Sequence, residues 1–122
     1  MGITKTKLNK TRNEIEKGDV VYVDLSSFED GSVQGNGVNS TGRPCVVVGR
    51  GFNSELIVCA LTSKSKKDMP THTRVKIKGR ESIALLEQLF TIEKEKINSK
   101  RWHVTKEEMD NIESCLKISL GL

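Results

Sequence analysis

Arg43 and Thr62 are the residues whose types and spacing most suggest chemistry. Arg43 stands in "GRPCVVVGR", at the foot of an apolar run from Cys45 to Val48 that reads as a buried strand. Pro44 has no amide donor, so it suits a strand's first position or an edge and leaves Arg43 at the lip of the sheet. Thr62 closes "LIVCALTS", and the turn around Gly51 joins the two runs as an antiparallel hairpin. In a hairpin the start of one strand lies beside the end of the next, so counting back from the turn brings Arg43 and Thr62 roughly level. A rigid fork of donors and a hydroxyl then converge below a glycine-rich loop, an arrangement that suits a phosphate. The same arginine also reads as a surface residue lying over apolar neighbours. The hydroxyl beside it is what favours the first reading.

Other chemistries find little support. His72 and His103 are the two histidines, and neither falls in a carboxylate–histidine cluster with metal-ligand spacing. Cys45, Cys59 and Cys115 are an odd, widely spaced set, each inside an apolar run, which reads as reduced core thiols in a cytoplasmic protein. "GNGVNSTG" lacks the Gly-Lys-Ser/Thr that would hold a nucleotide, and there is no nucleophile elbow. Any catalysis is therefore expected to proceed without metal, cofactor or catalytic thiol. A formal charge of +4 and a pI near 9.0 are compatible with an anionic partner. No membrane association is expected: no run approaches the roughly 18 apolar residues of a span, and "MGITKTKLNKTRNEIEKGD" lacks a signal peptide's apolar centre. Gly2 and Thr6 fit a myristoylation pattern only loosely, and the segment reads as a polar lead.

The elements that must position Arg43 and Thr62 follow from the rest of the chain. Residues 1–16 are expected to be a polar extension, flexible or a short helix, and residues 17–122 the folded domain. Val20 to Leu25 make a first strand, and "SSFEDGSVQGNGVNSTG", with four glycines, is a long loop before the second. Arg43–Val48 and Leu56–Ser63 form the hairpin, and "THTRVKI" alternates like a half-exposed strand. "SIALLEQLFTI" is ambiguous between strand and helix and is assigned as strand after the restart at Gly79. "TIEKEK" reads as solvated surface. Near the carboxyl end Thr105 and Glu108 form a capping box, Val104 and Met109 a hydrophobic staple, and Gly121 ends a helix. Five or six strands closed by a terminal helix predict an α+β fold built on a small β-barrel.

The order "KGDVVYVDL", "GSVQG", "GRPCVVV", "CALTS", "PTHTRV", "ALLEQLFTI" and "ISLGL", over about residues 17–122, resembles the MazF/PemK family of toxins from type II toxin–antitoxin pairs. The resemblance implies an SH3-like barrel (the CcdB/MazF-like fold) with a C-terminal helix, working as a homodimer. It further implies metal-independent, sequence-specific cleavage of single-stranded RNA. The ribose 2′-hydroxyl would attack the adjacent phosphate and leave a 2′,3′-cyclic phosphate and a 5′-hydroxyl. The family's catalytic arginine and threonine match Arg43 and Thr62. Its partner would be a MazE-like antitoxin with an acidic, disordered tail wrapping the basic cleft.

An arginine stays protonated and a threonine is a poor base, so charge stabilisation and in-line positioning carry the rate on this reading. A pair made of His72 and His103 is the alternative acid and base. Substrate contacts are expected from Phe28, Ser32, Gln34 and Gly35 in the long loop, Ser63 and Lys64 after Thr62, His72 in "PTH" and Gln88 in "LLEQ". Trp102 is expected to pack beneath the terminal helix. The loop before Arg43 is longer than is usual in the family, Val33 replaces a frequent acidic residue and Phe90 a frequent arginine, which predicts a different RNA sequence preference. The competing functions are a CcdB-like protein that poisons DNA gyrase without cutting, which does not need the Arg43–Thr62 pair, and a nonspecific RNA-binding domain.

Overall fold

A computed structural model describes residues 15–24 and 42–122 of the chain. Six strands form one antiparallel sheet: β1 (Asp19–Val23), β2 (Arg43–Arg50), β3 (Glu55–Thr62), β4 (His72–Ile77), β5 (Arg80–Glu93) and β6 (Ile97–His103). A 3-10 turn (Lys94–Lys96) precedes β6, and a helix, α1 (Lys106–Leu120), closes the chain. The spatial order is β4-β5-β3-β2-β1-β6.

The continuous apolar runs of β1 and β2 arise because both faces of the central sheet are covered. One face packs against α1: Val20, Val46, Val48, Cys59, Leu61, Val75, Ala84 and Leu86 meet Ile112 and Cys115 of the helix. The alternate residues Val21, Val23, Cys45, Val47, Leu56, Val58, Ile92 and Ile97 make a second cluster on the other face, joined by Ile15. Ile15 thus belongs to the core although it falls within the segment read as an extension, and its carbonyl accepts from Arg50 Nη2 at 3.2 Å.

Register breaks let one sheet build a core on each side. The β1–β6, β2–β3 and β3–β5 pairings all carry them, and bulges of this kind raise local twist and bend the strand. The largest is on β5, where Cys59 pairs with Leu89 and the next residue, Ala60, with Leu85. One step on β3 is matched by four on β5, so residues 86–88 are spliced into the long strand. Leu86 N–H donates to Thr71 O at 2.9 Å instead of to the ladder, and Ser119 Oγ donates to Leu86 O at 2.8 Å. The expected barrel is not closed: β4 and β6 stand at opposite ends of the hydrogen-bonded order. What the described residues form is a curled antiparallel sheet with a C-terminal helix.

The capping box of α1 forms as its residue types dictate. Thr105 Oγ1 accepts from Glu108 N–H at 3.1 Å and Glu108 Oε1 from Thr105 N–H at 2.9 Å, a motif contributing about 1 kcal/mol. Glu108 Oε2 also accepts the backbone N–H of Lys76 at 2.8 Å, which occupies a donor on edge strand β4. No helix among the described residues is long and apolar enough to cross a membrane.

Candidate active site

Gly42 is what lets the chain deliver Arg43. It has φ +90°, and a Cβ there would lie 2.2 Å from the carbonyl oxygen of Val23. The backbone therefore crosses the end of β1 at a separation only glycine allows and enters β2 with Arg43 paired to Val23. On the other side of β2, Cys45 pairs with Ala60. That is the last β2–β3 pair; Arg43 and Thr62 each stand two residues beyond it, at the start of β2 and the end of β3, and Thr62 pairs in turn with Ile83 on β5. Strand alternation puts Arg43, Thr62 and Ile83 on the face away from α1. Thr62 Oγ1 accepts from the backbone N–H of Lys64 at 3.1 Å, a turn that ends the strand and leaves the hydroxyl's own proton available. No hydrogen bond or ion pair among the described residues holds the Arg43 guanidinium. Both side chains are half-buried.

The groups around this pair are poorly suited to take a proton. Cys45, two residues along the same face, is fully buried; burial pushes its thiol up to about 12, and the charge of Arg43 offsets this only in part. It is an inert core thiol. His72 pairs with Leu85, whose other partner is Ala60, so it shares the face but lies two strands from Ala60, about 10 Å away. Its Nδ1 is 3.0 Å from Lys67 O and its Nε2 3.1 Å from Glu87 Oε2. Both partners are acceptors, and a neutral ring, with one N–H, can donate to only one of them. His103 is at the far end of β1, paired with Asp19, about 13 Å along the strand from Val23. The buried Asp19 carboxylate accepts from His103 Nδ1 at 2.7 Å and from Glu16 N–H at 2.8 Å, with Lys100 Nζ at 3.7 Å. Within the chain the two histidines are therefore apart, and His103 serves to tie β6 to β1.

Ser63 and Lys64 follow Thr62 on the exposed start of the β3–β4 connection, and Gln88 is half-buried in the β5 bulge. Phe28, Ser32, Gln34, Gly35 and Val33 lie outside the described residues. Trp102 stands on β6 opposite Val20, a residue of the α1-facing cluster, and keeps 37% of its surface exposed. Phe90 packs against the second core cluster.

A family model of the PemK-like, MazF-like toxin of type II toxin–antitoxin systems matches residues 16–120. The chain is 38% identical over 117 residues to Endoribonuclease EndoA of Bacillus subtilis (strain 168), covering 88% of this chain and 96% of that one. The chain belongs to the PemK/MazF toxin family. The fold agrees. An endoribonuclease solved in complex with its cognate antitoxin, from mycobacterial species, superposes with a TM-score of 0.69 at 19% identity, over 88% of this chain and 96% of that one. A MazE–MazF complex from Deinococcus radiodurans gives 0.67 at 14% identity, again over 88% and 96%.

In this PemK/MazF chain sequence reasoning passed over Glu87 and Thr71. Glu87 interrupts the apolar run of "ALLEQLF", which was the available signal. Burial alone would raise the Glu87 carboxyl, but hydrogen bonds from His72 and Thr71, the latter at 2.8 Å, outweigh it, and the net shift is downward. A carboxyl held below its ordinary 4.5 stabilises the fold fully above that value, and the stabilisation fades as pH falls through the lower folded value. Glu87→Gln should therefore flatten the acid limb of a melting-temperature profile: the wild-type advantage seen at pH 6 should shrink steadily as the pH approaches 3. Parallel profiles for the two proteins would show that the cluster does not form.

Proposed function

We propose that the chain is the endoribonuclease toxin of a type II toxin–antitoxin pair and cuts single-stranded RNA between Arg43 and Thr62. An arginine fork at the start of β2 and a hydroxyl at the end of neighbouring β3, both on the sheet face away from α1, support this reading. The 2′-oxygen attacks the adjacent phosphorus, the bond from phosphorus to the 5′-oxygen breaks, and the products are a 2′,3′-cyclic phosphate and a 5′-hydroxyl. Arg43 neutralises the phosphate oxygens as negative charge grows in the transition state, and Thr62 donates to one of them. In-line positioning supplies the rest of the rate, with protons exchanged through water and no metal needed. Ser63, Lys64, His72 and Gln88 flank the path of the RNA, and the segment with Phe28, Ser32, Gln34 and Gly35 reads its bases. We read the curl of the sheet around its second cluster as an SH3-like barrel opened between β4 and β6.

The working form is a cytoplasmic homodimer, neutralised by an antitoxin whose acidic tail covers the basic cleft. Relatives of the same fold that were solved with an antitoxin support that partner. Incubation of the purified protein with a long single-stranded RNA in EDTA, followed by mapping of fragment ends, tests the proposal. Discrete cuts ending in cyclic phosphate are expected. Intact RNA together with inhibited gyrase would replace this reading by that of a gyrase poison, and binding without products by that of a passive RNA-binding domain.

A further inference from the structure

We infer that Arg74 and Ile83 carry the RNA onward from the scissile phosphate, forming a second phosphate-holding position at the β4 edge of the sheet. This rests on the nuclease reading for its first position and on separate residues for its second. The register runs without a break from Thr62 to Ile83 and from Ile83 to Arg74, so Thr62, Ile83 and Arg74 form one row across three strands, and Arg43 stands on the next strand, two residues beyond the last β2–β3 pair. Three inter-strand steps separate the two arginines, about 14 Å between backbones. With Thr62 and Ile83 between them, the two guanidinia are suited to different phosphates of one strand. Half-buried Ile83 between them offers an apolar seat for a ribose or base.

Strand β4 is built for such a role. Thr73, Val75 and Ile77 face the helix side, while His72, Arg74 and Lys76 alternate onto the face that holds Arg43. Their acidic neighbours on β5 are Glu87, engaged by His72, and Glu81, which pairs in register with Lys76 and lies 3.4 Å from Arg74 Nη1. The Arg74 side chain is 59% exposed and that of Glu81 51%. An ion pair this long and this exposed is weak, so a phosphate can displace Glu81 and gain the bidentate geometry the carboxylate does not achieve.

The test uses the full-length protein and two measurements. The first is equilibrium binding of a fluorescein-labelled single-stranded DNA oligonucleotide, which lacks the attacking hydroxyl, at several salt concentrations. The second is cleavage of RNA oligonucleotides centred on a mapped cut site. Arg74→Glu is expected to weaken binding about 10-fold and to reduce the slope of log affinity against log salt by about one. It should raise KM and leave kcat unchanged. Glu81→Gln should bind two- to three-fold tighter, a gain that a purely structural ion pair would not produce. Unchanged affinity and salt slope in Arg74→Glu, or weaker binding in Glu81→Gln, would overturn the inference even if RNA is cut. Arg74-dependent binding by a protein that cuts no RNA would instead remove the nuclease reading and leave this contact standing.

Discussion

Arg43→Ala should lower the rate of RNA cleavage by at least 10²–10³-fold while leaving the melting temperature within a few degrees of wild type. Loss of one preorganised donor to a developing oxyanion costs about 3–4 kcal/mol of barrier, and here the donor is also the charge nearest the proposed scissile phosphate. The fold should survive because no described partner depends on the guanidinium and the side chain is only half-buried. Arg43→Lys separates charge from shape: a point charge without the planar fork is expected to restore a small part of the rate and not the whole. Thr62→Ala should cost less, since it removes a neutral donor. Single-turnover cleavage of one defined oligonucleotide, with circular dichroism melts and gel filtration of each variant, would check this. An Arg43→Ala protein that cuts normally would sink the assignment, and one that unfolds would make Arg43 a structural residue.

Sequence and structure agree where local chemistry and long-range packing make the same demand. The hairpin of β2 and β3 was legible because a turn at Gly51 separates two β-branched runs, and α1 because Thr105, Glu108 and Gly121 mark its ends by residue type. β6 escaped notice because Asn98, Ser99 and Lys100 carry no strand signature. It is an edge strand whose sheet pairing, among the described residues, is with β1, with two register breaks and the buried Asp19–His103 contact. The β5 run looked ambiguous for a physical reason: Ala84, Leu85 and Leu86 are all buried, and the splice at residues 86–88 switches which face the alternate residues occupy. The barrel expected from resemblance met a sheet whose end strands do not pair, a long-range property that no local signal encodes. For the site, counting from the turn could place Arg43 and Thr62 at the same end of the hairpin, where β2 begins and β3 ends. That Glu87 and Thr71 hold His72 could not be counted in this way, because their approach depends on the bulge.

The second large effect belongs to a residue with no side chain. Gly42→Ala should destabilise the fold by about 3 kcal/mol, roughly 10 °C in melting temperature for a domain of this size, and should also reduce cleavage at temperatures where the protein remains folded. Two costs combine. A non-glycine residue at a left-handed φ costs about 1–2 kcal/mol, and the new Cβ would stand 2.2 Å from Val23 O and 2.7 Å from its carbonyl carbon. Those are backbone atoms with no rotamer to yield. Val23 is held by its pairing with Arg43, and the next residue is pinned by the 3.0 Å bond from Asp24 N–H to Lys96 O. Relief must therefore come from moving the start of β2, which is the segment that carries Arg43 toward Thr62. Gly79 provides the control. Its φ is +84° and nothing lies within 4 Å of a Cβ built there, so Gly79→Ala bears only the conformational cost. The loss in Gly42→Ala beyond that in Gly79→Ala measures the close crossing of β1 by the entry to β2. Thermal melts of both variants, with cleavage assayed well below the lower transition, would measure it. Equal losses of stability, or full activity in Gly42→Ala, would mean that the crossing does not position the arginine.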